Sequence, residues 1–200
     1  MRGTAVPRRQ RFSMRRAIGA AGLCLATLAC ASGSVITSEG AESPYSYLEF
    51  RAAAAGRDFL VEVRGLPFAG VGQEVFEQRL MAILRSAQPA GLGARFTTER
   101  DRPGMVPQYR LVLVFNAARN LAHETQCRAL ETVQPGPIVP GQVRVSVAFC
   151  RGTDLMSKAV ARTQAGGIED PALHQMFVEL FPVMFPPRNP FIPGPILIRD

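Results

Sequence analysis

The sequence predicts an α+β domain, a single antiparallel sheet of about four strands with helices packed on one face. Three observations predict it. Three segments alternate apolar and polar residues with period two, an amphipathic helical stretch lies between the first two of them, and two capped segments follow the last. The expected order is strand, helix, strand, strand, strand, helix, helix.

In Asp58 to Arg64, Phe59, Val61 and Val63 alternate with Leu60, Glu62 and Arg64. In Gln73 to Ala87, Phe76, Leu80, Ile83, Leu84 and Ala87 fall at helical spacing, with Glu74 and Glu77 early and Arg85 late, as the helix dipole favours, and Pro89 as a stop. Arg95 to Thr98 adds a short strand after the Gly91-Leu92-Gly93 turn. In Tyr109 to Asn116, Tyr109, Leu111, Leu113 and Phe115 share one face. In Val143 to Cys150, Val143, Val145, Val147 and Phe149 do so opposite Arg144, Ser146, Ala148 and Cys150. Thr153 or Asp154 is expected to cap a helix through Ala165 that Gly166-Gly167 ends. Asp170-Pro171 opens another, whose stripe is Leu173, Met176, Phe177, Leu180 and Phe181, with Pro182 bending or ending it.

Two irregular stretches remain, 117–141 and the tail Pro186 to Asp200, both rich in proline. They are expected to cover the second sheet face, where Leu60, Val112 and Val114 would otherwise be exposed. The tail also offers an extended segment to a partner at low entropic cost.

Before the domain, Arg2, Arg8, Arg9, Arg11, Arg15 and Arg16 precede a run of about 13 apolar or small residues, Ala17 to Ala29. A spanning helix needs about 20, so the run reads as a cleavable leader. Neither Arg8-Arg9 nor Arg15-Arg16 is followed by the apolar doublet of a twin-arginine signal. Ala26-Thr27-Leu28-Ala29-Cys30 resembles the lipobox of bacterial lipoproteins, although Thr27 and Leu28 depart from its commonest form. That resemblance implies lipidation of Cys30 and a membrane partner through the lipid. Ordinary cleavage at Ala29-Cys30-Ala31 would instead release a soluble periplasmic protein. Ala31 lacks the acidic residue associated with inner-membrane retention in some bacteria, which makes the outer membrane the default. The expected organisation is a signal peptide over 1–29, a tether over 30–46, one domain over 47–185 and a tail over 186–200.

Six of the 23 basic side chains lie before Cys30, which leaves 17 against 16 acidic ones. With no basic run and Lys158 its one lysine, the mature part lacks the electrostatic footprint of a nucleic-acid binder.

Cys127 and Cys150 remain as a pair for an oxidising compartment. Their bridge would close a loop of about 24 residues and contribute roughly 3 kcal/mol by chain-entropy reasoning. The competing reading is a catalytic thiol at Cys127 served by His123. No CxxC or HxxxH pairing points to a metal, and no cofactor motif occurs. His174 is expected to bond with Asp170. Asp154 and Ser157 would complete a hydrolase triad with it, but no GxSxG accompanies them. Arg64, Arg110 and Arg144 are the candidate anion site, three guanidinium groups on one face of neighbouring strands. A solvated face paired with Glu62, Glu124 and Glu131 is the plainer alternative.

A YRLVLVFN strand, a cysteine in the following connection, a VRVSVAFCRG strand and an FPPRNP end make residues 57–190 resemble uncharacterised small exported proteins of Gram-negative bacteria. The order of strands and helices is also similar to that of auxiliary lipoproteins of envelope transport systems. These resemblances imply one exported domain. The function expected is therefore a non-enzymatic envelope lipoprotein, an accessory or assembly factor docking on an envelope protein through a sheet edge, the arginine face or the tail. The alternatives are a soluble periplasmic module binding a small anion and, behind it, a periplasmic hydrolase using His174 or His123.

Overall fold

The computed structural model describes residues 33–188. The leader expected over 1–29, Cys30 and tail residues 189–200 lie outside them. The described chain is α+β, as expected, but its sheet is larger and mixed. Strands β1 (Val35–Ala41), β2 (Asp58–Arg64), β3 (Arg95–Thr97), β4 (Tyr109–Phe115), β5 (Gln142–Arg151) and β6 (Asp154–Gln164) lie in the order β1-β6-β5-β4-β2-β3. The helices are α1 (Tyr47–Ala54), α2 (Gln73–Ala87), α3 (His123–Arg128) and α4 (Pro171–Met184), with a 3₁₀ turn at Leu130–Thr132.

The expected antiparallel sheet of four strands is corrected in two respects. First, β2 runs parallel to both of its neighbours, β3 and β4. The reason is the path of the chain. Between β2 and β3 it passes through α2, and such a crossover returns the chain to the end where it started, which makes adjacent strands parallel. Second, the sheet gains β1 and β6.

The segment expected to form a helix after Thr153 is β6, which makes a hairpin with β5. Arg151 pairs with Asp154, so the turn holds two residues. Gly152 takes φ +57° at its first central position, where primed hairpin turns favour glycine. The register shifts between Phe149 and Cys150, which pair with Ser157 and Leu155 and leave Met156 as a bulge.

The expected tether over 30–46 is also corrected, because residues 35–41 pair with β6 as an edge strand and fill its open hydrogen-bonding side. Helix α1 follows directly, capped by the Ser46 hydroxyl, which accepts from the Glu49 amide at 3.3 Å.

One sheet face carries the main core. Phe59, Val61, Leu111, Leu113, Phe115, Val145, Val147 and Phe149 pack there against Phe50 of α1, Phe76, Leu80 and Leu84 of α2, and Leu173, Met176, Phe177 and Phe181 of α4. The Phe50 ring stacks on Phe185 with centroids 3.7 Å apart and meets Phe149 edge-on at 5.6 Å. Each such ring removes apolar area worth about 2 to 3 kcal/mol. Helix α4 continues through Pro182 to Met184. The carbonyl that loses its donor there belongs to Val178, which is exposed, so water can replace the missing N–H.

The helices are not confined to one face. α3 and the turn after it cover the second face, where Cys127 and Val133 pack on Val112, Val114, Ala148, Cys150 and Leu155. The connection returns over the ends of β2 and β4. The Gly136 amide donates to the Asn116 carbonyl at 2.8 Å, and Pro135 lies against Gly65.

Candidate functional site

Strand register places Arg64, Arg110, Arg144 and Cys150 on the second face. Leu60, Arg110, Cys150 and Leu155 form one row, Glu62, Val112, Ala148 and Lys158 the next, and Arg64, Val114, Ser146 and Val160 the third. In the fourth row the Asn116 amide bonds to the Arg144 carbonyl, Arg144 pairs with Arg162, and Arg162 pairs with Val35. Arg110 and Arg144 thus lie at opposite ends of the sheet. Six residues of β5 separate the row of one from the row of the other, about 20 Å at strand rise. The anion site expected from Arg64, Arg110 and Arg144 is not formed, because strand direction and register separate residues that share a face.

Arg110 is committed to the fold. Its Nε meets Glu62 at 2.9 Å, while Nη1 donates to the Gly152 carbonyl at 2.8 Å and Nη2 to the Cys127 carbonyl at 2.6 Å. One guanidinium group therefore ties β2, the β5–β6 turn and α3 together. Glu62, buried to 9% side-chain exposure, also takes Arg100 at 2.5 Å. Arg64 is exposed at the end of β2.

The fourth row is different. Arg144 and Arg162 face each other across β5 and β6, and the loop after β4 brings Arg119 beside them. Arg144 donates through Nη1 to the Ala117 carbonyl, while its Nε is buried without a hydrogen-bond partner. Burial first, and the charges of Arg162 and Arg119 second, hold Arg144 below the ordinary arginine range. Among the described residues no carboxylate forms an ion pair with Arg119, Arg144 or Arg162. One row away, the Gln126 amide donates to the Ser146 hydroxyl at 2.6 Å, and Gln126 Oε1 is buried without a partner. Arg119 and Arg162 are exposed and, among the described residues, unpaired with any carboxylate, so they offer charge-assisted bonds to an oxyanion.

Of the three expected arginines, Arg144 belongs to this group. Arg119 and Arg162 were not anticipated. The signal for Arg162 was its alternation with Lys158 and Val160 along one strand face. Arg119 in its loop carried none.

Cys127 and Cys150 form a disulfide with Cα atoms 5.6 Å apart, which fixes α3 to β5. The bridge removes the thiol that a Cys127–His123 dyad would need. The Asp170 carboxylate caps α4, accepting from the Gly166 amide at 2.8 Å and the Ala172 amide at 2.9 Å, and these bonds hold it below the usual carboxylate range. Both its oxygens are therefore engaged away from His174, contrary to expectation. Ser157, the nucleophile such a triad would need, is fully buried within β6 and is not presented to a substrate, while Asp154 lies exposed at the β5–β6 turn and pairs with Arg151 at 3.4 Å.

An open groove of about 400 Å³ runs beside α2 and the edge strand β3. Its lining mixes both signs: Arg95 pairs with Asp58 at 2.6 Å and Arg102 with Glu99 at 2.8 Å, and Glu74, Glu77 and Arg85 stand beside them. It therefore lacks the single-sign field of the fourth row. Among the described residues no group of three histidine, cysteine or acidic side chains is placed to hold a metal, and no helix is long and apolar enough to cross a membrane.

Comparison with known proteins finds no matching family model, and no curated protein matches the sequence.

Proposed function

We propose that this chain is an exported lipoprotein of the bacterial envelope, held to a membrane by a lipid on Cys30, and that it acts there as a non-enzymatic accessory or assembly factor. The observation that carries the reading is the Cys127–Cys150 bridge, which locks α3 over the second face of the sheet. Such a structural disulfide persists in an oxidising compartment, the destination that the basic, apolar leader ending at Cys30 independently implies. β1 adds a geometric point. It begins at Val35, five residues after Cys30, so the lipid stands within about 17 Å of the sheet even at full extension. The folded body is therefore held close to the bilayer, where an envelope protein would meet it.

The test is the intact mass of the mature chain extracted from membranes, with and without reduction. The expected species carries a diacylglyceryl group and an acyl chain on Cys30 and gains about 2 Da on reduction, the mass of one opened disulfide. A soluble species beginning at or after Ala31 would defeat the anchored reading. If the mass is as expected, crosslinking in intact cells should capture an envelope protein. A chain that crosslinks to no protein would defeat the accessory role.

A further inference from the structure

Like charges placed directly opposite on neighbouring strands are unfavourable, and the pairing of Arg144 with Arg162 is such a placement. Arg119 adds a third positive charge, and Arg144 Nε remains a buried donor without an acceptor. The like charges that cost stability in the isolated chain are relieved once an anion at the exposed Arg119 and Arg162 supplies the missing charge. The position of the row indicates which anion. Arg162 is the register partner of Val35, the first residue of β1, and the chain reaches Cys30 five residues earlier. Val35 is itself 59% exposed, an apolar side chain beside the cations, which is the pairing that interfacial surfaces present to lipid.

We propose that Arg119, Arg144 and Arg162 form a docking surface for the phosphate groups of anionic phospholipid headgroups, in the membrane that carries the lipid on Cys30. This rests on the anchored reading above. The lipid supplies attachment, and the arginine row sets orientation by turning the β1 end of the second face toward the bilayer. Guanidinium groups suit this task, because their planar donors match phosphate oxygens two at a time.

The test uses the mature chain from residue 30 onward with Cys30→Ser, so that no lipid dominates the measurement. Flotation with vesicles containing phosphatidylglycerol is compared with flotation on phosphatidylcholine alone. The R119Q/R162Q double variant is set against R51Q/R85Q, which removes equal charge elsewhere. Urea unfolding confirms that each variant is folded. The expected result is binding to the anionic vesicles only, weakened about 30-fold in R119Q/R162Q, from a factor of about five for each arginine at the surface, and less than about twofold in the control. Equal binding to neutral vesicles, or equal losses in the two double variants, would overturn the inference. Release from the vesicles by inorganic phosphate at constant ionic strength would also overturn it and assign the row to a free anion. The mass of Cys30 reads the anchor separately. An unmodified Cys30 removes the anchor whatever the vesicles do, and arginine-independent flotation removes the docking surface whatever the mass.

Discussion

Replacing Arg162 with glutamate should make the isolated domain more stable while removing its affinity for anions. Arg162 faces Arg144 across the β5–β6 ladder; directly opposed residues have Cβ atoms about 5 Å apart, and two charges about 6 Å apart in surroundings dominated by water repel by about 0.7 kcal/mol. Reversing one charge converts that repulsion into an attraction of similar size. Arg162 is exposed, so solvent screening and the entropy of holding two long side chains reduce the gain to about 1 kcal/mol in low salt. For a domain of this size that amounts to a rise in Tm of about 2 to 4 °C. The assay is urea unfolding of wild type, R162Q and R162E at low and high ionic strength. R162Q should fall between the other two, because it removes repulsion without adding attraction. Near 1 M salt the Debye length shrinks to about 3 Å and the differences should close. An R162E variant no more stable than wild type in low salt, or a gain insensitive to salt, would refute the reasoning, since the two arginines would then not be in electrostatic contact.

Three further outcomes follow from other parts of the fold. The C127A/C150A variant should lose roughly 3 kcal/mol in urea unfolding, the chain-entropy value for its loop, and wild type in reductant should move toward it. Gly65→Ala should cost more than about 1 kcal/mol in the same assay. Gly65 has φ +78°, and an added Cβ would sit 2.7 Å from the Phe115 carbonyl oxygen and 2.8 Å from Pro135 Cβ. Asp170→Ala should remove the cap of α4 at a cost of about 1 kcal/mol at neutral pH. Because the folded-state pKa of Asp170 is lowered, its stabilisation is complete above the ordinary aspartate range. It is lost as pH falls through the folded-state value, so wild type and D170A should converge in thermal melts taken at progressively more acid pH.

β2, α2, β4 and β5 were legible because each keeps one period along its whole length, with a continuous apolar face toward the main core. β6 was not. Its bulge at Met156 places Leu155, Met156 and Ser157 in succession inside the fold, which breaks the alternation. Ala159, Ala161 and Ala165 then lend the segment the composition of a helix. β1 was hidden by its short polar sequence, since an edge strand with an exposed side needs little apolar surface. α1 did have a signal, the Ser46-x-x-Glu49 spacing of a capping box. The arginine site was misassigned for a related reason. A shared face can be read from period two, but position along that face depends on strand direction and register. Reading β2 and β4 as antiparallel put Arg110 in the group, and reading β6 as a helix left Arg162 out.

The pairing of β1 with β6 also bears on how the fold is completed. A chain made from its N-terminus delivers β1 first, yet its partner strand lies near the far end of the described sequence. Until β6 arrives, β1 has no ladder to join. Contacts between residues so distant in sequence are the slowest to form, because the loop between them must be ordered before they return any free energy. The central strands and α2 can assemble on their own shorter-range contacts, so β1 should be the last strand to close and the first to open. Amide exchange would then be fastest at Val35 to Ala41, and a truncation that removed β6 would leave the N-terminal segment as an unpaired edge open to association with another chain.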